Sequence, residues 1–161
     1  MMKTKFTTLL LALAMVGSSV MLNSCKKDDD PAGGGGGGST TPKTNSIAAT
    51  IGTDALDPAT APIVSFDGSN GSMSITSNDK DQSTTLAIYF SINGGNSQSI
   101  GGTAFANVQS GGKLYTADGG TITLTTNDKS NRIVEGTFVF SAKDTQQFNI
   151  DVSGGSFYIK Y

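Results

Sequence analysis

The sequence predicts an all-β domain over residues 46–161, a single antiparallel sandwich or barrel-like sheet of about eight to ten strands. Three observations lead there. Short apolar runs alternate with polar residues at period two, clusters of Gly, Asn, Asp and Ser separate them, and no stretch of ten residues or more carries helical periodicity.

The candidate strands are 46–52, 62–66, 72–77, 84–92, 103–108, 113–117, 121–126, 132–141, 146–153 and 156–161. The clearest is TTLAIYFSI, in which Leu86, Ile88, Phe90 and Ile92 fall on one face while Ala87 and Tyr89 fall on the other. In RIVEGTFVFS, Val134, Phe138 and Phe140 share the inward side, and Gly136 leaves room for a neighbour or a bend. In the last pair, Phe148, Ile150 and Val152 are expected to answer Phe157, Ile159 and Tyr161 across an SGG turn. A short internal repeat, GSMSITSNDK at 71–80 and GTITLTTNDK at 120–129, places a strand before a polar turn each time. It fits either a duplicated hairpin or common strand and turn chemistry.

The residues ahead of this domain differ in kind. Residues 1–24 run from a basic start, MMKTK, through the apolar FTTLLLALAMV to the small and polar GSSVMLNS, the three parts of a secretory signal. Gly17, Ser18 and Ser19 interrupt the apolar run before it reaches the roughly 20 residues of a membrane-spanning helix. The segment ends on LNSC, which resembles a bacterial lipobox: Leu22, then Asn23 as a less usual filler, small Ser24, and Cys25 as the lipid acceptor. Two or three acyl chains, at about 0.8 kcal/mol per buried CH₂, would hold the chain on a membrane.

KKDDD follows, and Lys27, Asp28 and Asp29 resemble the surface-export signal of Bacteroidota lipoproteins, with a charged spacer as the plainer alternative. The rest of residues 25–45 is dominated by six consecutive glycines, whose entropy opposes helix or strand, so a flexible tether is expected, reaching roughly 25 Å. These features predict an outer-membrane, lipid-anchored protein on the cell surface, with the periplasmic face as the alternative.

Composition removes most chemistry. The chain contains no His and no Trp, and Cys25 is its one cysteine. Zinc and copper sites, Ser-His-Asp and Cys-His catalysis and disulfides therefore lack their side chains, and the sequence predicts no metal, no cofactor and no enzyme. Loss of Lys3 and Lys5 with the signal leaves nine of the eleven basic residues against thirteen acidic ones, a net charge of −4. The remaining cations are scattered, which argues against nucleic acid.

Asp79, Asp81 and Asp128 sit in loops without the spacing of a dedicated calcium loop and are expected to serve turns. The single Glu, Glu135, lies in a strand, and no second acid pairs with it as glycoside hydrolysis requires. Among the four tyrosines, Tyr89 and Tyr158 are predicted outward and would form a ligand-stacking platform if they lie side by side; otherwise the tyrosines are packing residues.

Gly136, Thr137, Phe138 and Phe140, followed by Gly155 and Phe157, resemble the Gly-Thr-Phe-x-Phe and closing Gly-x-Phe strands of a family of uncharacterised Bacteroidota lipoproteins. The likeness covers about 60 of the 161 residues in addition to the leader. It implies a surface or periplasmic β domain and brings no active site with it. The expected function is a non-catalytic binding module for a glycan, a small molecule or a protein. The alternative is a structural or assembly component of the envelope that pairs through exposed strand edges.

Overall fold

A computed structural model describes residues 43–161. The signal segment, Cys25, Lys27, Asp28, Asp29 and the glycine run lie outside the described residues. Among those described there is no helix, and ten strands form one antiparallel sheet curled into a half-barrel.

In chain order the strands are β1 (Ser46–Ile51), β2 (Asp54–Ala55), β3 (Ile63–Asp67), β4 (Ser72–Asn78) and β5 (Thr84–Ser91). They continue with β6 (Ser97–Ser99), β7 (Phe105–Ser110), β8 (Lys113–Asp128), β9 (Ile133–Lys143) and β10 (Asn149–Lys160). Across the sheet they run β2-β1-β10-β9-β8-β7-β5-β4-β3. The first part of β8 pairs with β7 through Lys113–Thr116, and β6 takes the next part at Thr121–Thr123.

Period-two alternation produces the core as expected. Leu86, Ile88, Phe90 and Ile92 are buried, and so are Val134, Gly136, Phe138 and Phe140. Curling brings strands from opposite parts of the sheet into contact. Phe90 of β5 meets Phe157 of β10 at 5.2 Å between ring centroids, although three strands lie between theirs in the sheet. Phe66 of β3 likewise meets Tyr161, just past β10, at 4.3 Å. On another side, the Asp57 amide donates to Asp79 Oδ1 and the Lys80 amide to the Asp57 carbonyl, tying the segment after β2 to the β4–β5 turn.

Two expected turns are bulges instead. Residues 146–153 and 156–161 do not fold back on each other; from Asn149 to Lys160 they form one strand, β10, which pairs with β9, with a register shift between Val152 and Gly155 where Gly154 takes φ +60°. Phe148 consequently precedes the strand and is exposed, with Lys113 Nζ 4.7 Å from its ring centroid. Residues 113–117 and 121–126 similarly merge into β8, shifted between Ala117 and Gly119. A positive-φ glycine serves a bulge as readily as a turn, and bulges sharpen the twist that curls a sheet. The two short strands β2 and β6 were not among those expected.

Both copies of the internal repeat run from strand into turn, along β4 and β8. Asp79 and Asp128 serve those turns. Asp79 Oδ1 accepts from the Asp57 and Lys80 amides, and Asp128 accepts from the amide and side chain of Asn131. No group of three His, Cys, Asp or Glu side chains gathers among the described residues.

Candidate functional site

Because Ile88 and Phe90 point into the core, Tyr89 between them must point out. Register then fixes its neighbours. Ser65 of β3 pairs with Ser74 of β4, Ser74 with Tyr89 of β5, and Tyr89 with Phe105 of β7, so one row of outward side chains crosses four strands. A second row, one pleat along, runs Asp67, Ser72, Ser91.

Together with Thr103, these residues line an open groove of about 360 Å³, within the range of small-ligand sites. Tyr89 is 40% and Phe105 62% exposed, so two aromatic side chains reach solvent beside a field of hydroxyls. No cation lines the groove. Its one charged group, Asp67, is held below the usual carboxylate range by the Ser69 hydroxyl and then the Ser69 amide, which donate to Oδ1 at 2.7 and 2.9 Å. Chemically, the groove offers ring faces for an apolar surface, hydroxyls that donate and accept, and one carboxylate acceptor.

Tyr158 lies elsewhere. Its strand, β10, is separated from β5 by β9, β8 and β7, so Tyr89 and Tyr158 do not form one platform. Lys43 covers the Tyr158 ring, with Nζ 4.5 Å from the centroid, and reaches Glu135 at 2.9 Å. Tyr115 packs half-buried against the core opposite Val108, and Tyr161 packs on Phe66. Glu135 is thus engaged in a surface ion pair. Asp144 is buried in the β9–β10 turn, where it accepts from the Gln146 and Phe148 amides and faces Lys113 at 3.5 Å.

Phe105 was not singled out in the sequence. The signal was available in the alternation of Ala104, Ala106 and Val108, all buried, with Phe105 on the other face. The serine partners carried no such signal, since only the register of β3 and β4 brings them beside Tyr89. A scan against protein-family models and searches of curated proteins and of solved structures return no match to this chain.

Proposed function

We propose that this chain is a lipoprotein of the Bacteroidota type it resembles, anchored to the outer membrane by lipid on Cys25 and displayed on the cell surface. Its β domain acts there as a non-catalytic binding module. The groove between β3 and β7 carries this reading. Tyr89 and Phe105 expose aromatic surface in a setting of Ser65, Ser72, Ser74, Ser91 and Thr103, where hydrophobic burial gives no reason to place them. A glycan suits such a lining best, with a sugar ring against the aromatics and its hydroxyls among the serines; a small molecule or a protein loop are the other candidates.

A second reading, an envelope assembly component, draws on one feature. β3 ends the sheet with one side paired to β4, and Ile63 on it is 68% exposed, which suits pairing with a strand of a partner.

Protease treatment of intact cells, with Cys25→Ala as the anchor control, tests the placement. Release of the domain from whole cells, and loss of membrane association in the variant, are the expected results. Protection until the outer membrane is opened would place the protein on the periplasmic side and favour the assembly role. A glycan array probed with the full chain and with Tyr89→Ala/Phe105→Ala tests the module, which requires a signal that the double variant loses.

A further inference from the structure

Three turns converge at one end of the half-barrel: residues 68–71 between β3 and β4, 92–96 after β5, and 129–132 between β8 and β9. They enclose a recess of about 370 Å³. Phe66, Ile92 and Tyr161 contribute its apolar surface, and the exposed side chains of Asn93, Lys129 and Arg132 its polar one. It borders the Tyr89 groove but is lined by different residues.

The cations set this recess apart. Lys43, Lys80, Lys113 and Lys143 each pair with a carboxylate, whereas among the described residues Lys129, Arg132 and Lys160 do not, and of these three only Lys129 and Arg132 come together. Both line the same recess. The Lys129 ammonium is moreover held in place, since Nζ donates to Asn93 Oδ1 at 2.8 Å while Asn93 Nδ2 donates to the Asn70 carbonyl at 3.2 Å. Gly71, at φ +76°, leaves the space that the Asn93 amide fills. The Ile92 backbone is fixed on both sides, donating to the Gly71 carbonyl at 2.9 Å and accepting from Asn127 Nδ2 at 2.7 Å. Arg132 lies with its guanidinium 5.5 Å from the Tyr161 ring centroid and holds a left-handed backbone, φ +57°, that a non-glycine residue adopts at a cost.

Two carboxylates temper the field. Asp67 and Asp128 are sequence neighbours of lining residues, and both are kept ionised by hydrogen bonds, from Ser69 and from Asn131. These carboxylates offset part of the positive charge of Lys129 and Arg132, which disfavours a doubly charged phosphate more than a singly charged carboxylate. An arginine fork can hold a planar carboxylate through two hydrogen bonds, and the Phe66–Tyr161 pair offers a surface for a ring.

We infer that this recess binds a sugar ring bearing a single carboxylate, a uronic- or sialic-acid unit, with the carboxylate between Lys129 and Arg132 and the ring against Phe66 and Tyr161. The inference does not depend on what occupies the Tyr89 groove.

Calorimetric titration of the full chain with trigalacturonate, a glucuronate disaccharide and sialyllactose, each beside its neutral counterpart and beside inorganic phosphate, tests it. At least one carboxylated sugar is expected to bind about tenfold more tightly than its neutral counterpart, and more weakly as salt rises. Lys129→Gln and Arg132→Gly should each weaken that binding by about tenfold. Arg132→Gly relieves the left-handed strain, so it should fold at least as stably as the parent, and Tyr89→Ala/Phe105→Ala should leave this affinity unchanged. The proposal is overturned if none of the carboxylated sugars binds, if a neutral counterpart or phosphate binds as tightly, or if the Lys129→Gln/Arg132→Gly double variant retains full affinity.

Discussion

Gly136 and Phe157 stand opposite each other across β9 and β10, and the Phe157 ring occupies the space a side chain at Gly136 would need, its Cζ 2.6 Å from an ideal Cβ there. The relation is reciprocal. Phe138 stands opposite Gly155, where a Cβ would overlap the Phe138 ring. Each strand thus supplies a hole for the ring of the other, and the Phe138 and Phe157 rings stack at 6.4 Å between centroids. Gly136→Ala should lower stability by about 1–3 kcal/mol through overpacking. Gly119→Ala, where a Cβ meets nothing within 4 Å, should be neutral or slightly stabilising. Urea denaturation of both variants decides the matter: equal midpoints would mean that the Phe157 ring and the Thr123 carbonyl of β8, which also lies against a Cβ at Gly136, both give way freely.

Gln98 does for Ser91 what a neighbouring strand would otherwise do. β5 pairs with β7 only as far as Tyr89 and Phe105, so Ser91 extends beyond its partner strand. The buried Gln98 amide replaces the missing peptide, donating from Nε2 to the Ser91 carbonyl at 2.7 Å and accepting from the Ser91 amide at 3.0 Å. Gln98→Leu keeps the bulk but strands the Ser91 amide, while the Ser91 carbonyl still accepts from the Gly94 amide at 3.1 Å, so the expected loss is about 1–3 kcal/mol. Hydrogen exchange at the Ser91 amide gives a local readout. Its protection should fall in the variant by more than the global loss accounts for, and undiminished protection would mean that another acceptor takes over.

Much of this sheet is legible in the sequence. Strands β1, β3, β4, β5, β7 and β9 follow from alternation over five or more residues, and the inward faces of β5 and β9 follow with them. Failures cluster where a glycine has two uses. Gly154 in β10 and Gly119 and Gly120 in β8 punctuate the chain as turns would, yet the strand continues past each, because whether it reverses depends on its partner β9 and not on the local residues. β6 is only three residues long and is held by β8 and by Gln98, both beyond local pattern. The candidate site divides the same way. That Tyr89 points outward is local information, whereas its company of Ser65, Ser74 and Phe105 requires the register of four strands. Tyr158 shows the converse, an outward residue that Lys43 covers from outside the strands.

The exposed aromatics predict a separation of stability from binding. Tyr89 keeps 40% and Phe105 62% of its surface exposed, so Tyr89→Ser and Phe105→Ser together should lower stability by no more than about 2 kcal/mol. Capture of neutral glycans on the array should nevertheless disappear. A large loss of stability would instead assign the pair to packing of the outer face, and the groove would lose its claim to function.

The dependence of stability on pH follows from what the chain contains. Asp67, Asp81 and Asp128 are each held below the usual carboxylate range, first by hydrogen bonds from the side chains of Ser69, Ser83 and Asn131 and then by their amides; Asp118 is held there by Lys143. A carboxylate with a depressed folded value contributes stability above its unfolded value and loses it as pH falls through the folded one, so stability should decline below about pH 4. Lys80 is raised by its hydrogen bond and charge interaction with Asp57, so its contribution persists below its unfolded value and is lost as pH rises through the higher folded one. With no His in the chain and its one cysteine, Cys25, outside residues 43–161, no side chain of the β domain has an ordinary pKa in the middle of the range, and stability should be flat between about pH 5 and 9. Salt separates the causes. Three of the four carboxylates owe their shift to neutral donors, which ions screen weakly, so most of the acid decline should survive at high ionic strength, while the part that Asp118 contributes through Lys143 should shrink. Urea midpoints measured from pH 2 to 9 at low and high salt test this: an acid limb abolished by salt would mean that net charge, and not turn hydrogen bonding, governs the acid response.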